Sequence, residues 1–360
     1  MQKVAIVGIG QSQTNSIISD LSYKELMFQA AVRAYNDAGI EAKAVESFIC
    51  CSEDFLEGTS IADEYVPDQL GGMQKSVCTI GGNGLHGIVN AYMQICTGLI
   101  DLALVEAHSK ISDVLSLNYI LEFGFDPLYN RLGANPHFLA GLEMTRFLYE
   151  NKLKRELCAE VVVKNKKNAL DNPIACYGSN LKVEDVLNSE VVSYPLTKLD
   201  ISQLADACTV VILASAAKVR NKERAIWIKG VGWCNDVYSL ELRELARATC
   251  VEKAGEMAYK LSKTMPKNID LAEIDDTYSY KELQHLKALK LSERTNVNIS
   301  GGSLGMGYTF ENSGLLRLAE VVYQLRGEAG KRQIKNAETG LAQAWRGIPT
   351  NSSAVIILER

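Results

Sequence analysis

The sequence has no run of 18 apolar residues, so nothing in it reads as a membrane-spanning helix. It has only four histidines, His86, His108, His137 and His285, too scattered for a zinc site. None of its nine cysteines forms a CxxC pair, and the number is odd. That excludes a disulfide framework and suggests a reducing, intracellular setting with mostly small buried thiols. Neither charge dominates: 38 Lys+Arg against 43 Asp+Glu give a net −5. Such a balance argues against a nucleic-acid or anionic-membrane surface. Prolines are few, 7 against 27 glycines, so the glycines mark tight turns within regular structure rather than linkers. The apolar run at 4–9 is short and leads into Gly10-Gln11-Ser12-Gln13, unlike a signal peptide, and a cytoplasmic, soluble protein is expected. What is present is a chain of 360 residues, 47% hydrophobic and 22% charged, too long for one ordinary core and too apolar for a disordered one.

The chain repeats an order of elements. A buried strand at 4–10, a helix at 25–38, a strand at 47–51, the cluster Gly81-Gly82-Asn83-Gly84, a helix at 85–97 and strands at 101–106 and 209–213 form one series. The second runs through a strand at 225–230, a helix at 252–263, a turn and strand at 269–276, Asn298-Ile299-Ser300-Gly301-Gly302, a helix at 313–325 and a strand at 354–358. Alternating strands and helices predict parallel βαβ units in an α/β fold, and two series predict two similar halves packed face to face. The expected halves are 1–220 and 221–360. Residues 110–200 interrupt the first with helical stretches at 142–149 and 157–169, an insertion over one end of that half.

Each glycine cluster follows a strand and opens a helix. Unpaired N–H groups and the helix dipole suit an anion or a developing oxyanion there. Gly82-Asn83-Gly84-Leu85-His86-Gly87 also fits GxGxxG, with Glu106 24 residues beyond Gly82. A dinucleotide-binding unit places that motif after its first strand, whereas here it is internal.

Five segments carry a family likeness. They are Lys164-Asn165-Lys166-Lys167-Asn168-Ala169-Leu170-Asp171-Asn172-Pro173, Val183-Glu184-Asp185-Val186-Leu187, Pro195-Leu196, Asp206-Ala207-Cys208 and the Asn298–Gly302 cluster. On these the chain resembles the thiolase superfamily over nearly its full length, the sterol-carrier-protein-type thiolases in particular. The resemblance implies a duplicated thiolase fold of five αβαβα layers. It also implies a coenzyme A thioester as substrate, with no bound cofactor and no metal. Lys164, Lys166, Lys167 and Arg131 are then the basic residues available to its phosphates.

The departures narrow the reading. A thiolase needs a nucleophilic cysteine at a helix N-terminus. Aligned on Tyr92, Gly98 and Asp101, Gly81 stands at that position and Cys78 three residues before it, so Cys78 is the nucleophile only if a gap is admitted. Tyr308 replaces the histidine of the family's Gly-His-Pro segment, and Asp275 that of its His-Asp-x-Phe segment, here Asp275-Asp276-Thr277-Tyr278. A lacking cysteine, Gly307-Tyr308 and Leu325-Arg326-Gly327 resemble the lipid-transfer-protein-like aldolases, which cleave β-hydroxyacyl-CoA by a retro-aldol reaction. That branch implies a homodimer, or a heterodimer with a thiolase-like paralogue, and a small zinc-ribbon/OB-fold partner. Retro-aldol cleavage needs a base for the β-hydroxyl and donors for the enolate oxygen. Tyr308 serves as base only if its pKa falls toward neutrality; otherwise Asp275 or Asp276 takes the proton and Tyr308 donates. Gly81, Gly82, Gly302 and Gly307 are the expected oxyanion and substrate-binding positions. The rival readings are a non-catalytic thiolase-like subunit and an acyltransferase using Cys78.

Overall fold

The computed structural model describes residues 2–52, 65, 67–113, 129, 131–237, 239–347 and 351–360. Runs of β-branched and small apolar residues form its longer strands: β1 (Val4–Gln11), β4 (Leu102–Ser109), β7 (Ala207–Ser215), β8 (Ile226–Asn235), β11 (Thr339–Arg346) and β12 (Ser352–Glu359). Shorter ones are β2 (Ser47–Cys51), β3 (Ser76–Ile80), β9 (Leu271–Glu273) and β10 (Asn296–Val297), with β5 (Val191–Ser193) and β6 (Leu196–Thr197) pairing apart as a hairpin. The main sheet has the order β10-β9-β11-β12-β8-β1-β7-β4-β2-β3.

Read outward from its middle, that order is one pattern twice. In each series the first strand pairs with the last (β1–β7, β8–β12), the last with the one before it (β7–β4, β12–β11), then come the second and third. The parallel expectation is corrected for half of these contacts. Only β4–β2–β3 and β11–β9–β10 run parallel; the others are antiparallel. The link from Arg346 to Ser352 shows why, being too short for a crossover and long enough for a hairpin. The face-to-face expectation is also refined, because the two series join along an edge where Ala5 pairs with Trp227 and Ile6 with Ile226.

Helices complete five layers. Outer helix α1 (Tyr23–Ala38) covers the β1–β7 face. Inner helices α2 (Gly84–Cys96) and α8 (Ser313–Arg326) pack on one another between the two groups of strands, and α5 (Thr249–Ser262) with α6 (Ser279–Ala288) covers the far side. Strand alternation divides the core accordingly: Val4 and Ile6 face the inner helices, Ala5 faces α1. Two glycines in each first strand allow the outer helix to touch backbone. A Cβ on Gly10 would lie 2.0 Å from Ala30 O of α1, and one on Gly232 2.0 Å from Ala254 O of α5.

Within the insertion, α3 (Pro136–Asn151) starts where Asn135 accepts from Phe138 N at 3.0 Å and Pro136 takes the first turn. Helix α4 (Glu156–Ala169) follows. Among the described residues no helix is long and apolar enough to cross a membrane.

Candidate active site

The two glycine clusters differ in what surrounds them. After β3, Gly81 is exposed, with nothing within 4 Å of where a Cβ would stand. Asn83 caps α2, its side chain accepting from Leu85 N at 3.3 Å while its Nδ2 donates to Phe310 O at 3.3 Å. That second bond joins the Gly81–Gly82 loop to the segment carrying Tyr308. His86, on the first turn of α2, lies against Gly82; burial lowers its pKa to about 4, so it is neutral.

The second cluster is filled by protein. It opens the short helix α7 (Gly302–Met306), whose first N–H groups meet Asp276: Ser303 N donates at 2.6 Å to Oδ1 and Leu304 N at 3.2 Å to Oδ2. Gly302 has φ +57°, and a Cβ there would fall 2.1 Å from Asp276 Oδ2. Its N–H donates to Ser300 Oγ at 3.2 Å, and the Gly307 N–H to Ser303 O at 3.0 Å. Gly302 and Gly307 are two of the four positions expected to hold a substrate oxygen. Their amides are engaged within the protein, and Gly307, at φ +115°, packs with Ala205 and Tyr177.

Helix α4 clamps the same loop. Asn165 Nδ2 donates to Asp276 Oδ2 at 2.8 Å and to Glu282 Oε2 at 2.7 Å. Lys164 Nζ donates to Glu282 Oε1 at 2.6 Å, Lys166 Nζ to Leu304 O at 3.0 Å and Asn168 Nδ2 to Asn298 O at 3.0 Å. The ammonium groups of Lys164 and Lys166, among the basic residues available to a coenzyme phosphate, thus already have acceptors within the protein.

Asp275 and Asp276 are both fully buried beside Arg317 of α8. Arg317 Nη1 lies 2.8 Å from Asp275 Oδ2, and its Nη2 donates to Ser303 Oγ at 2.6 Å and lies 3.8 Å from Asp276 Oδ1. Burial raises Asp276 to about 7 against the pull of Arg317. With three donors on its oxygens, Asp276 acts as a cap for α7. Sequence reasoning missed Arg317; its signal was a lone arginine on the apolar helix run Leu315-Leu316-Arg317-Leu318.

Tyr308 is half-buried, and its ring lies 4.7 Å from that of Phe310. Burial first, then the charge of Asp275, pushes the phenol above its ordinary value near 10. That direction leads away from a base at neutral pH and toward the protonated phenol, the form able to donate. Its backbone is fixed by the stretch 201–205, with Tyr308 N donating to Gln203 O at 2.7 Å and Ala205 N to Tyr308 O at 3.0 Å.

Cys78 lies mid-strand in β3, with its sulfur 4.0 Å from Gln94 Nε2 and its Cα paired with Ile49. It is not at a helix N-terminus, so the dipole that would activate a nucleophile there is missing. Glu106, the acid of the dinucleotide reading, is buried on β4, 2.8 Å from His108 Nδ1 and 3.4 Å from Cys208 Sγ, with no access for a ribose. Arg326 also has a packing role: it donates at 2.8 Å to Asp37 of α1 and to Arg224 O, tying the end of α8 to the outer layer.

Comparison with known proteins agrees with this layout. Residues 292–360 match the family model described as thiolase C-terminal domain-like. The acetyl-CoA acetyltransferase of Methanothermobacter thermautotrophicus is 28% identical over all of both chains. Human sterol carrier protein 2 is 26% identical over 95% of this chain and 69% of its own. A solved structure described as Ltp2-ChsH2(DUF35) aldolase superposes with a TM-score of 0.85 at 21% identity, covering 99% of this chain and 97% of that one. The chain is a thiolase-superfamily protein. Within the superfamily it is of the sterol-carrier-protein type, and the thiolase fold accounts for the doubled strand order and the shared layer of inner helices.

Proposed function

We propose that this thiolase-superfamily protein cleaves, or forms, the Cα–Cβ bond of a β-hydroxyacyl-CoA by aldol chemistry without a covalent cysteine intermediate. One observation carries the reading. The open position at the mouth of α2 is Gly81, with no side chain there to attack a thioester, and Asn83 ties that loop through Phe310 O to the segment carrying Tyr308, whose phenol burial keeps protonated. The thioester oxygen sits at the Gly81–Gly82 loop, where the α2 dipole favours an enolate. In the cleavage direction the β-hydroxyl loses its proton, the Cα–Cβ electron pair becomes the enolate, and the Tyr308 phenol returns a proton to Cα. Burial, with the charge of Asp275 behind it, keeps that phenol protonated. The name of the similar aldolase structure joins two components and supports a partner, here a small zinc-ribbon/OB-fold protein. Strand β3 ends the sheet and is only partly covered, which suits edge pairing in a homodimer or with a thiolase-like paralogue.

The test is to incubate the protein, alone and with its co-purified partner, with 3-hydroxy-3-methylbutyryl-CoA and longer β-hydroxyacyl-CoAs. Release of acetone, or of the corresponding carbonyl product, that is lost in Tyr308→Phe is expected. Acyl transfer to Cys78, mapped by mass spectrometry, would overturn the reading in favour of a thiolase-type acyltransferase. Turnover of no β-hydroxyacyl-CoA under either condition would leave a non-catalytic subunit.

A further inference from the structure

The aldol reading names a donor, Tyr308, and leaves the β-hydroxyl proton without an acceptor: Asp276 is held by three donors and Asp275 lies against Arg317. A second tyrosine stands nearby. Tyr278 is 5% exposed, and its hydroxyl lies 3.2 Å from His137 Nδ1, with the rings edge-to-face at 6.0 Å. The stretch that fixes Tyr308 fixes Tyr278 as well: Ile201 pairs with Tyr278 and Leu204 with Tyr308, while Ser202 N donates to Thr277 O at 2.9 Å.

His137 belongs to the insertion. It sits in the first turn of α3, and that helix is fastened six residues on, where Glu143 accepts from Tyr280 Oη at 2.8 Å and from Lys281 Nζ at 2.7 Å. Burial pushes His137 below the ordinary histidine range, and the positive end of the helix dipole acts in the same direction. The imidazole is therefore neutral at pH 7 and able to accept. It is also only partly buried, so a proton that reaches it has a way to solvent. Burial first, then the nearby titratable groups Tyr308, Glu143 and Asp275, holds Tyr278 as a phenol.

We propose that Tyr278 and His137 form the proton relay for the β-hydroxyl in the aldol reaction, with Tyr278 catalytic and His137 the positioning acceptor behind it. The step balances. The β-hydroxyl proton moves to Tyr278 Oη as the Tyr278 proton moves to His137 Nδ1. The β-carbon becomes a carbonyl, the Cα–Cβ pair becomes the enolate, and Cα takes the Tyr308 proton. The imidazolium then reprotonates Tyr308 directly or through solvent. The proposal rests on the aldol reading and deepens it.

The experiment compares Tyr278→Phe, His137→Gln and Tyr308→Phe with the wild type on 3-hydroxy-3-methylbutyryl-CoA across pH 5–9. Tyr278→Phe is expected to lower kcat by about 10²-fold with KM little changed. His137→Gln is expected to lower kcat about 10-fold and to abolish the acidic limb of the wild-type profile, which lies below the usual histidine pKa of about 6.5. His137→Ala is expected to recover activity with added imidazole, which a structural role would not produce. Full activity in Tyr278→Phe with Tyr308→Phe inactive overturns the relay and leaves the aldol reading standing. An unaltered acidic limb in His137→Gln also overturns it. A wild type that releases no carbonyl product overturns both.

Discussion

The two glycine clusters each follow a strand and open a helix, α2 and α7, and have opposite contents. The one at Gly81–Gly84 leaves its first glycine facing open space. The one at Asn298–Gly302 receives a carboxylate from Asp276, a guanidinium from Arg317 and four side chains from α4. A glycine before a helix therefore has two meanings that its local sequence does not separate. It vacates room for a ligand, or it admits a neighbouring side chain to within contact. What decides is the rest of the chain, here an insertion that closes over one cluster.

Substitutions that break the filled loop should cost stability, and those at the open one should not. The largest effect is expected for Arg317→Met, which leaves Asp275 and Asp276 buried without a cation and should lower unfolding free energy by about 3–5 kcal/mol in urea titration. Gly302→Ala comes next. A methyl 2.1 Å from Asp276 Oδ2 on a backbone at φ +57° should cost about 1–3 kcal/mol, read as a fall in midpoint. Asp276→Asn is smaller, at about 1 kcal/mol or more, because its amide turns an N–H toward donors. It also carries a pH signature. The folded carboxyl, raised to about 7, holds its proton while the unfolded one, near 3.8, releases it, so wild-type stability falls as pH rises from about 4 to 7. The variant should lose that slope in thermal melts taken across the window. Gly81→Ala should change stability least, by under about 0.5 kcal/mol, while lowering turnover of β-hydroxyacyl-CoA, because the methyl occupies the place of the thioester oxygen. Equal losses of stability at Gly81 and Gly302 would erase the distinction between the loops.

Much of the fold was legible because strand-length apolar runs and glycine stops recur in one order, and that order depends on local pattern alone. Strand direction was not, since it follows from connection length: the short link between β11 and β12 makes a hairpin that alternation of elements does not reveal. The site was legible where a residue type stood out of place. Gly81, Asp275 and Tyr308 did so against the family pattern, and Arg317 did so against its helix. The packing partners of Lys164, Asn165 and Lys166 were not legible, because their acceptors, Glu282, Asp276 and Leu304 O, lie more than a hundred residues away. The pairing of His137 with Tyr278 has no local signal either, for the two are 141 positions apart.

The stretch from Ile201 to Ala205 is a mechanical coupling. It holds the backbones of Tyr278 and Tyr308 by adjacent main-chain bonds, so the main chain of one is referred to that of the other. The two behave like the jaws of a caliper set by one screw. A residue inserted between Gln203 and Leu204 would reset the gap between those backbones without lengthening any strand of the main sheet, which makes these five positions a place where spacing alone would tune the proposed relay.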